Sequence, residues 1–385
     1  MSAKLTDIAK HAGCSPATVS RALNGTAGVD ARLRARIRTA MAALEGDRGK
    51  DSGKTVSHRG RPRGSLRKSD AVDVIVFRRE AVEPLTFSDS SLTVAPITDA
   101  TPNLFFSPRF RLTTDFYRHI IDGIVSVFAT TGLKTIQQVR DDLLDKALLH
   151  ELQTARHRGV LLLGEPDPQV QTFADECGSP VVLVDILGVA GHPVVAIDNA
   201  GGIRQSLSHL LELGHREIGF AGNPDNPSLR ERFLAYCGGM TEAGLTVRPE
   251  WRYGGSGHIR DVADGVRPIL SRKQRPTAFL CAGDYYAIGV LEAARSLSLR
   301  TPHDLSVVGF DDVDAAALST PSLTTVRVPK IQLGACAADL LLRGTASDGV
   351  PDIWQHCEVR CRTELAVRAS TRPLSSARSR KKKTP

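Results

Sequence analysis

From Val72 onward, short and almost continuously apolar runs alternate with amphipathic stretches of helical length. This alternation restricts the fold more than any other feature of the chain. The runs predict strands at 72–77, 135–139, 160–163, 181–185, 194–197, 218–221, 278–282 and 307–310. Helices are predicted at 116–128, 142–155, 202–213, 229–243, 286–297 and 331–342. A strand that is apolar at every position must be covered on both faces, as in parallel sheets flanked by their crossover helices. Residues 71–371 are too many for one such sheet, so two Rossmann-like lobes are expected. We place the first lobe at about 71–197 plus 329–356 and the second at about 198–328 plus 357–371.

Residues 1–46 follow a different rule. In LTDIAKHAGCSPATVSRALNG, Thr6 can cap a short helix with Leu5, Ile8, Ala9 and Ala12 on one side, and Gly13 supplies a left-handed end. Ser15 followed by Pro16 marks the next start, since serine caps and proline fits the first helical position. That second helix stops at Gly25. A third begins after Asp30, where Leu33, Ile37, Ala40, Met41 and Leu44 form an apolar stripe opposite Arg32, Arg34, Arg36 and Arg38. Three short helices around one small core make an all-α helix-turn-helix headpiece.

The charge is placed unevenly. Residues 1–46, 47–70 and 372–385 carry +4, +5 and +6, which leaves −7 on residues 71–371 of a chain whose net charge is +8. Basic ends on an acidic body point to a polyanionic partner, most simply double-stranded DNA. Residues 47–70 are rich in Gly, Ser, Lys and Arg with no apolar period, and read as a flexible linker. Residues 372–385 read as a disordered basic tail. Seven scattered cysteines without a Cys-x-x-Cys pair oppose a disulfide framework or a zinc site. No apolar run reaches membrane-spanning or signal-peptide length, so a cytoplasmic location away from membranes is expected. Catalytic motifs are missing: no Gly-x-Ser-x-Gly, no Gly-x-Gly-x-x-Gly after a strand and no His-Glu-x-x-His. Residues 49–55 approach a phosphate-binding loop, but the spacing is one residue short and no strand precedes it. Neither an enzymatic activity, a metal nor a cofactor is expected.

The headpiece closely resembles that of the lac-repressor family of bacterial transcription regulators. The matching residues are Leu5–Ala9, Ala12-Gly13, Ser15 and the unbroken run from Ala17 to Asn24. The resemblance implies that the second helix enters the major groove. Pro16, Ala17 and Arg21 would then meet base edges, while Thr6, Ser15, Thr18, Ser20 and Asn24 would hold the backbone. Arg21 is the one long donor there, and arginine pairs bidentately with guanine. The linker departs from the family, for no hinge-helix pattern is present. Instead, Arg59-Gly60-Arg61-Pro62-Arg63 resembles an AT-hook: proline keeps the chain extended, glycine keeps it thin, and Arg59, Arg61 and Arg63 suit a narrow minor groove. A merely basic linker is the alternative.

The resemblance extends through the body, which also resembles periplasmic sugar-binding proteins of the same fold. It rests on Pro180–Asp185, Ile197–Asn199, His209–His215, Ser228–Arg232, Asp304–Asp312, Pro321–Thr325 and Leu365–Thr371. Four predicted strands end in acids, Asp185, Asp198, Asp284 and Asp311, where open parallel sheets bind ligands. For Asp198 and Asp284, capping the next helix is the other role open to them. The family match implies that Asp185, Ser228, Arg232 and Asp311 line an effector cleft, although a structural ion pair is also open to Arg232. Where the family often has Asn-Asp, this chain has Gly283-Asp284-Tyr285, which loses one amide contact and puts Asp284 and Tyr285 at the same cleft, with Tyr285 or Tyr286 as a stacking surface. The implied protein is a homodimeric repressor on a near-palindromic operator with an AT-rich centre, controlled by a small-molecule effector such as a sugar. A ligand sensor with a nonspecific DNA tether, or a solute-binding protein of the same fold, are the rival readings.

Overall fold

A computed structural model describes parts of residues 9–40 and then residues 70–78, 114–155, 157–345 and 352–374. The chain divides into two compact units, Met1–Leu66 and Arg67–Pro385.

In the first unit, Ala9, Ala12, Val19, Ile37 and Ala40 are buried together, with Cys14 and Leu33 packed against them. The turn follows the local signals read from sequence. Gly13 has φ 60°, and the Thr18 amide donates to Ser15 Oγ at 3.2 Å, so Ser15 caps the helical residues that begin at Pro16. The Arg36 guanidinium donates to the Ala12 carbonyl at 2.8 Å, which fastens the end of one helical segment to another. Thr6, Ala17, Ser20, Arg21, Asn24, Arg59, Arg61, Pro62 and Arg63 lie outside the described residues.

The second unit contains two six-stranded sheets. The first is built from β1 (Ala71–Phe77), β2 (Lys134–Arg140), β3 (Val160–Gly164), β4 (Val181–Val184), β5 (Val194–Ile197) and β11 (Glu358–Cys361), in the order β11-β5-β4-β3-β1-β2, all parallel. The second holds β6 (Ile218–Ala221), β7 (Arg252–Tyr253), β8 (Ala278–Cys281), β9 (Ser306–Asp311), β10 (Thr324–Arg327) and β12 (Glu364–Ala366), in the order β12-β10-β9-β8-β6-β7. Only β12 runs antiparallel to its neighbour.

The helices are α1 (Thr114–Thr131), α2 (Lys146–Ala155), α3 (Pro168–Glu176), α4 (Asn199–Glu212), α5 (Pro227–Glu242), α6 (Ile259–Leu270), α7 (Asp284–Ser296), α8 (Asp314–Leu318), α9 (Lys330–Thr345) and α10 (Asp352–Gln355). Strands β1, β3, β4, β6 and β8 are buried at every position, as their apolar runs require; the one acid among them, Asp73 of β1, is paired with His157 at 2.6 Å. Helices α1 and α9 pack backbone to backbone. A Cβ at Gly334 would stand 1.9 Å from the Ile120 carbonyl oxygen, and one at Gly123 would stand 2.0 Å from that of Ile331.

The chain passes between the sheets three times: after β5 into α4, after β10 into α9, and between β11 and β12. The third passage corrects a sequence expectation. The return to the second lobe was expected at residue 357, but Glu358–Cys361 pairs with Val194–Ile197 and extends the first sheet. Cys361 turns into the core while Glu358 and Arg360 stay outside, the alternation of an edge strand. The passage therefore comes at residues 362–363. No helix among the described residues is long and apolar enough to cross a membrane.

Candidate functional site

The carboxyl ends of the two parallel sheets bound a cavity of about 190 Å³. The first lobe contributes Phe116 and Tyr117 from the start of α1, Glu165 beyond β3, and Asp185 beyond β4. The second lobe contributes Ser228 and Arg232 from α5, Tyr285 from α7, and Asp311 from the end of β9.

Local sequence explains the aim of each group. Asn226 accepts the Leu229 amide at 3.2 Å and Pro227 takes the first helical position, so α5 starts at the cavity wall. Ser228 and Arg232, four residues apart, then share one buried face of that helix. Arg232 is only 3% exposed. Its Nε donates to Asn199 Oδ1 at 2.7 Å, and its Nη1 donates to the Ala282 carbonyl at 2.5 Å and to Asp311 Oδ1 at 3.1 Å. The guanidinium carbon lies 3.6 Å from the centre of the Phe310 ring. Such a group is a plane of positive charge whose position is set by its partners, so it can shift only together with them.

The acids face that plane. Burial pushes the Asp185 carboxyl up to about 7; Arg232 opposes the shift, and the like charge of Asp311 adds to it. Burial also raises Asp311, against the pull of Arg232 and Lys330. Asp185 Oδ1 is enclosed and accepts no hydrogen bond. A buried acceptor without a donor is costly, and a ligand hydroxyl or amine placed there would satisfy it. Tyr117, packed edge-on against Phe116 at 5.5 Å, has its hydroxyl held neutral, first by burial and then by Asp185. The cavity thus combines three acidic side chains, Glu165, Asp185 and Asp311, and a guanidinium with aromatic walls, a pattern suited to a small polar ligand. Among the described residues, no group of three or more His, Cys, Asp or Glu is placed to hold a metal ion.

Of the six cleft residues inferred from sequence, Asp185, Ser228, Arg232, Tyr285 and Asp311 line the cavity. Asp284 does not, and its assignment is corrected. It is fully buried, and accepts the Thr325 hydroxyl at 2.5 Å and the Val313 amide at 2.9 Å. It therefore ties three segments of the second lobe together, and burial raises its carboxyl well above the ordinary value. It does not cap α7 either, because that helix has Gly283 at its cap. Asp198 does act as a cap, accepting the Gly201 amide at 2.8 Å. Sequence reading missed Phe116, Tyr117 and Glu165. Glu165 follows a fully apolar strand, so the rule about strand ends would have found it; the aromatic pair carries no such signal.

Comparison with known proteins supplies the context. Residues 4–45 match the family described as bacterial regulatory proteins, lacI family, and residues 207–371 match the periplasmic binding protein-like domain. The chain is 30% identical over 346 residues to the HTH-type transcriptional repressor PurR of Pectobacterium carotovorum, covering 88% of this chain and 89% of that protein. It is 34% identical over 235 residues to PurR of Serratia proteamaculans, 59% of this chain and 69% of that one. Among solved structures, the transcriptional regulator CelR–cellobiose complex is similar at TM-score 0.64 with 24% identity, covering 96% of this chain and 99% of that chain. The lac repressor dimer bound to operator and the anti-inducer ONPF is similar at TM-score 0.61 with 22% identity, covering 97% and 100%. At those identities the structures establish a shared fold.

Proposed function

The chain belongs to the lacI family of bacterial regulatory proteins and is an effector-regulated, DNA-binding transcriptional repressor; we propose how its residues divide that work. The helix capped by Ser15 reads the operator. Pro16, Ala17 and Arg21 face base edges, and Thr6, Ser15, Thr18, Ser20 and Asn24 hold the phosphates. Arg59, Arg61, Pro62 and Arg63 follow the minor groove at an AT-rich centre. A homodimer presents two such headpieces to a near-palindromic site. The effector is a sugar or a related polar metabolite, held by Asp185, Ser228, Arg232 and Asp311 with Tyr285 stacked against it. The protein works in the cytoplasm and catalyses no reaction.

The observation that carries this reading is the cavity between the sheets, where acids and a guanidinium from opposite lobes converge. A ligand that touches both lobes prefers one lobe arrangement. It can shift operator affinity only by its differential affinity for the two arrangements.

The test is selection of bound fragments from genomic DNA by the purified protein, followed by sequencing. An inverted repeat around an AT-rich centre is expected, and the adjoining genes would supply effectors for titration. Tight binding without any shared site, falling steeply with salt, would overturn the proposal in favour of a nonspecific tether.

A further inference from the structure

Two residues that line the cavity have sequence neighbours that grip the passages between the lobes. Arg232 is preceded on α5 by Glu231. The Glu231 carboxylate receives both ends of the Arg360 guanidinium, Nη1 to Oε2 at 2.6 Å and Nη2 to Oε1 at 2.9 Å. Arg360 stands on β11 in the first lobe, two residues before the third passage, and it also donates to the Ile197 carbonyl beside the first passage. Asn199, fully buried at the start of α4, joins the two neighbours. Its amide nitrogen donates to Glu231 Oε2 at 3.0 Å and its oxygen accepts Arg232 Nε at 2.7 Å.

The same arrangement recurs beyond β9. Asp311 lines the cavity, and Asp312 after it accepts Arg327 Nε at 2.7 Å and Arg368 Nη2 at 2.6 Å. The Asp312 carbonyl accepts Lys330 Nζ at 2.8 Å. Arg327 and Lys330 flank the second passage, and Arg368 lies beyond the third. Both Asp311 and Asp312 are left-handed, with φ 107° and 51°.

We propose that Glu231, Asn199 and Arg360 form a relay that holds Arg232 for the effector and transmits its displacement to the lobe passages, with Asp312 as a parallel clasp. This rests on the effector-cleft reading. Three features favour it over a simple surface ion pair. The fork is bidentate, which fixes direction as well as distance. Its carboxylate is shared with a buried amide, so Glu231 cannot move without Asn199. Asn199 in turn holds Arg232, whose remaining bonds go to Asp311 and the Ala282 carbonyl. Movement of Arg232 toward a ligand therefore loads the contact at the passage, through groups that have defined partners at every step. Glu231 and Arg360 do not line the cavity; they are positioning residues.

Hydrogen exchange on the full-length chain, without DNA or ligand, tests the relay. Glu231→Gln keeps the shape and removes the charge. In this variant we expect exchange to rise about three-fold or more in peptides covering residues 198–203 and 309–316 as well as 357–363. A change confined to residues 226–234 and 357–363 would mean local packing only and would overturn the relay. A second arm measures operator affinity on the DNA recovered above. Glu231→Gln and Arg360→Met should each shift the dissociation constant about three-fold or more, with the double variant no further displaced than either single one, and Arg360→Lys intermediate. Unchanged affinity, or simple additivity, would count against the relay. If the wild-type chain recognised no operator, the regulator reading would fail and the exchange experiment would still decide the relay.

Discussion

Replacing Asp185 by Asn should stabilise the protein, and by an amount that depends on pH. Asp185 pairs a carboxyl pushed up to about 7 with a left-handed backbone, φ 57°, and with an oxygen that accepts nothing. Its ordinary value is 3.8. Below about pH 4 it is protonated in both the folded and unfolded chains. Between about 4 and 7 the folded chain keeps a proton that the unfolded chain has lost, so stability falls as pH rises; above 7 the penalty is constant. Its full size is on the order of 4 kcal/mol, of which less than half is present at pH 5. Asparagine carries no such charge and tolerates the left-handed conformation. Urea unfolding at pH 5 and pH 8 is the assay. The variant should gain at both, with an excess at pH 8 of about 2–3 kcal/mol over the gain at pH 5. An equal gain at both pH values, or a loss at pH 8, would refute the argument that the ionised carboxylate is held against its own solvation. Effector affinity should fall in the same variant, because the group that strains the fold is the one offered to the ligand.

Other substitutions probe other levels. Gly334→Ala forces a methyl to within 1.9 Å of the Ile120 carbonyl oxygen and must push α1 and α9 apart. A loss of about 3 kcal/mol is expected, read as a fall in Tm of roughly 6–12 °C, and an unchanged Tm would show that the helices can separate freely. Arg21→Ala should lose about 1–3 kcal/mol of discrimination at one guanine while leaving the salt dependence almost unaltered; fluorescence anisotropy on operators substituted at that base checks it. Joint replacement of Arg61 and Pro62 by Ala should weaken binding to AT-centred operators and lower the salt slope by about 1; equal affinity would sink the minor-groove contact.

The fold was legible where burial is complete. Strands β3, β4, β6 and β8 are apolar throughout, and β1 is so apart from Asp73, which is buried against His157, because helices cover both faces. The strands at or next to one edge of each sheet gave no such signal. Thr324–Arg327, Glu358–Cys361 and Glu364–Ala366 are short and partly polar, and nothing in their composition says which sheet each joins. The misplaced third passage follows directly from that. Helix α3 was legible but overlooked: Asp167 accepts the Gln169 amide at 2.9 Å and Pro168 follows it, the same start signal that Ser15 and Pro16 give in the headpiece. Helix α6 escaped because Pro268 interrupts an otherwise strongly amphipathic run.

The four acids at strand ends show where sequence reading of the site stops. Position along the chain treats Asp185, Asp198, Asp284 and Asp311 alike, since each follows an apolar run. Backbone conformation separates them. Asp185 and Asp311 have φ 57° and 107°, and both line the cavity. Asp198, with φ −73°, turns its carboxylate to the helix that follows, and Asp284, already the first residue of α7, packs inward onto Thr325. Left-handed backbone at a non-glycine residue costs on the order of 1–3 kcal/mol, so it persists where the surroundings force it. Here that cost falls on the two acids that line the cavity with Arg232. Among these four acids the left-handed backbone marks the cavity-lining pair, whereas a raised carboxyl does not, since burial raises Asp284 too; a ligand donor reaching Asp185 would relieve the unpaired acceptor while leaving the left-handed turn intact. On the proposed effector reading, lobe closure around such a ligand would be favoured by that recovered hydrogen bond, not by any release of backbone strain.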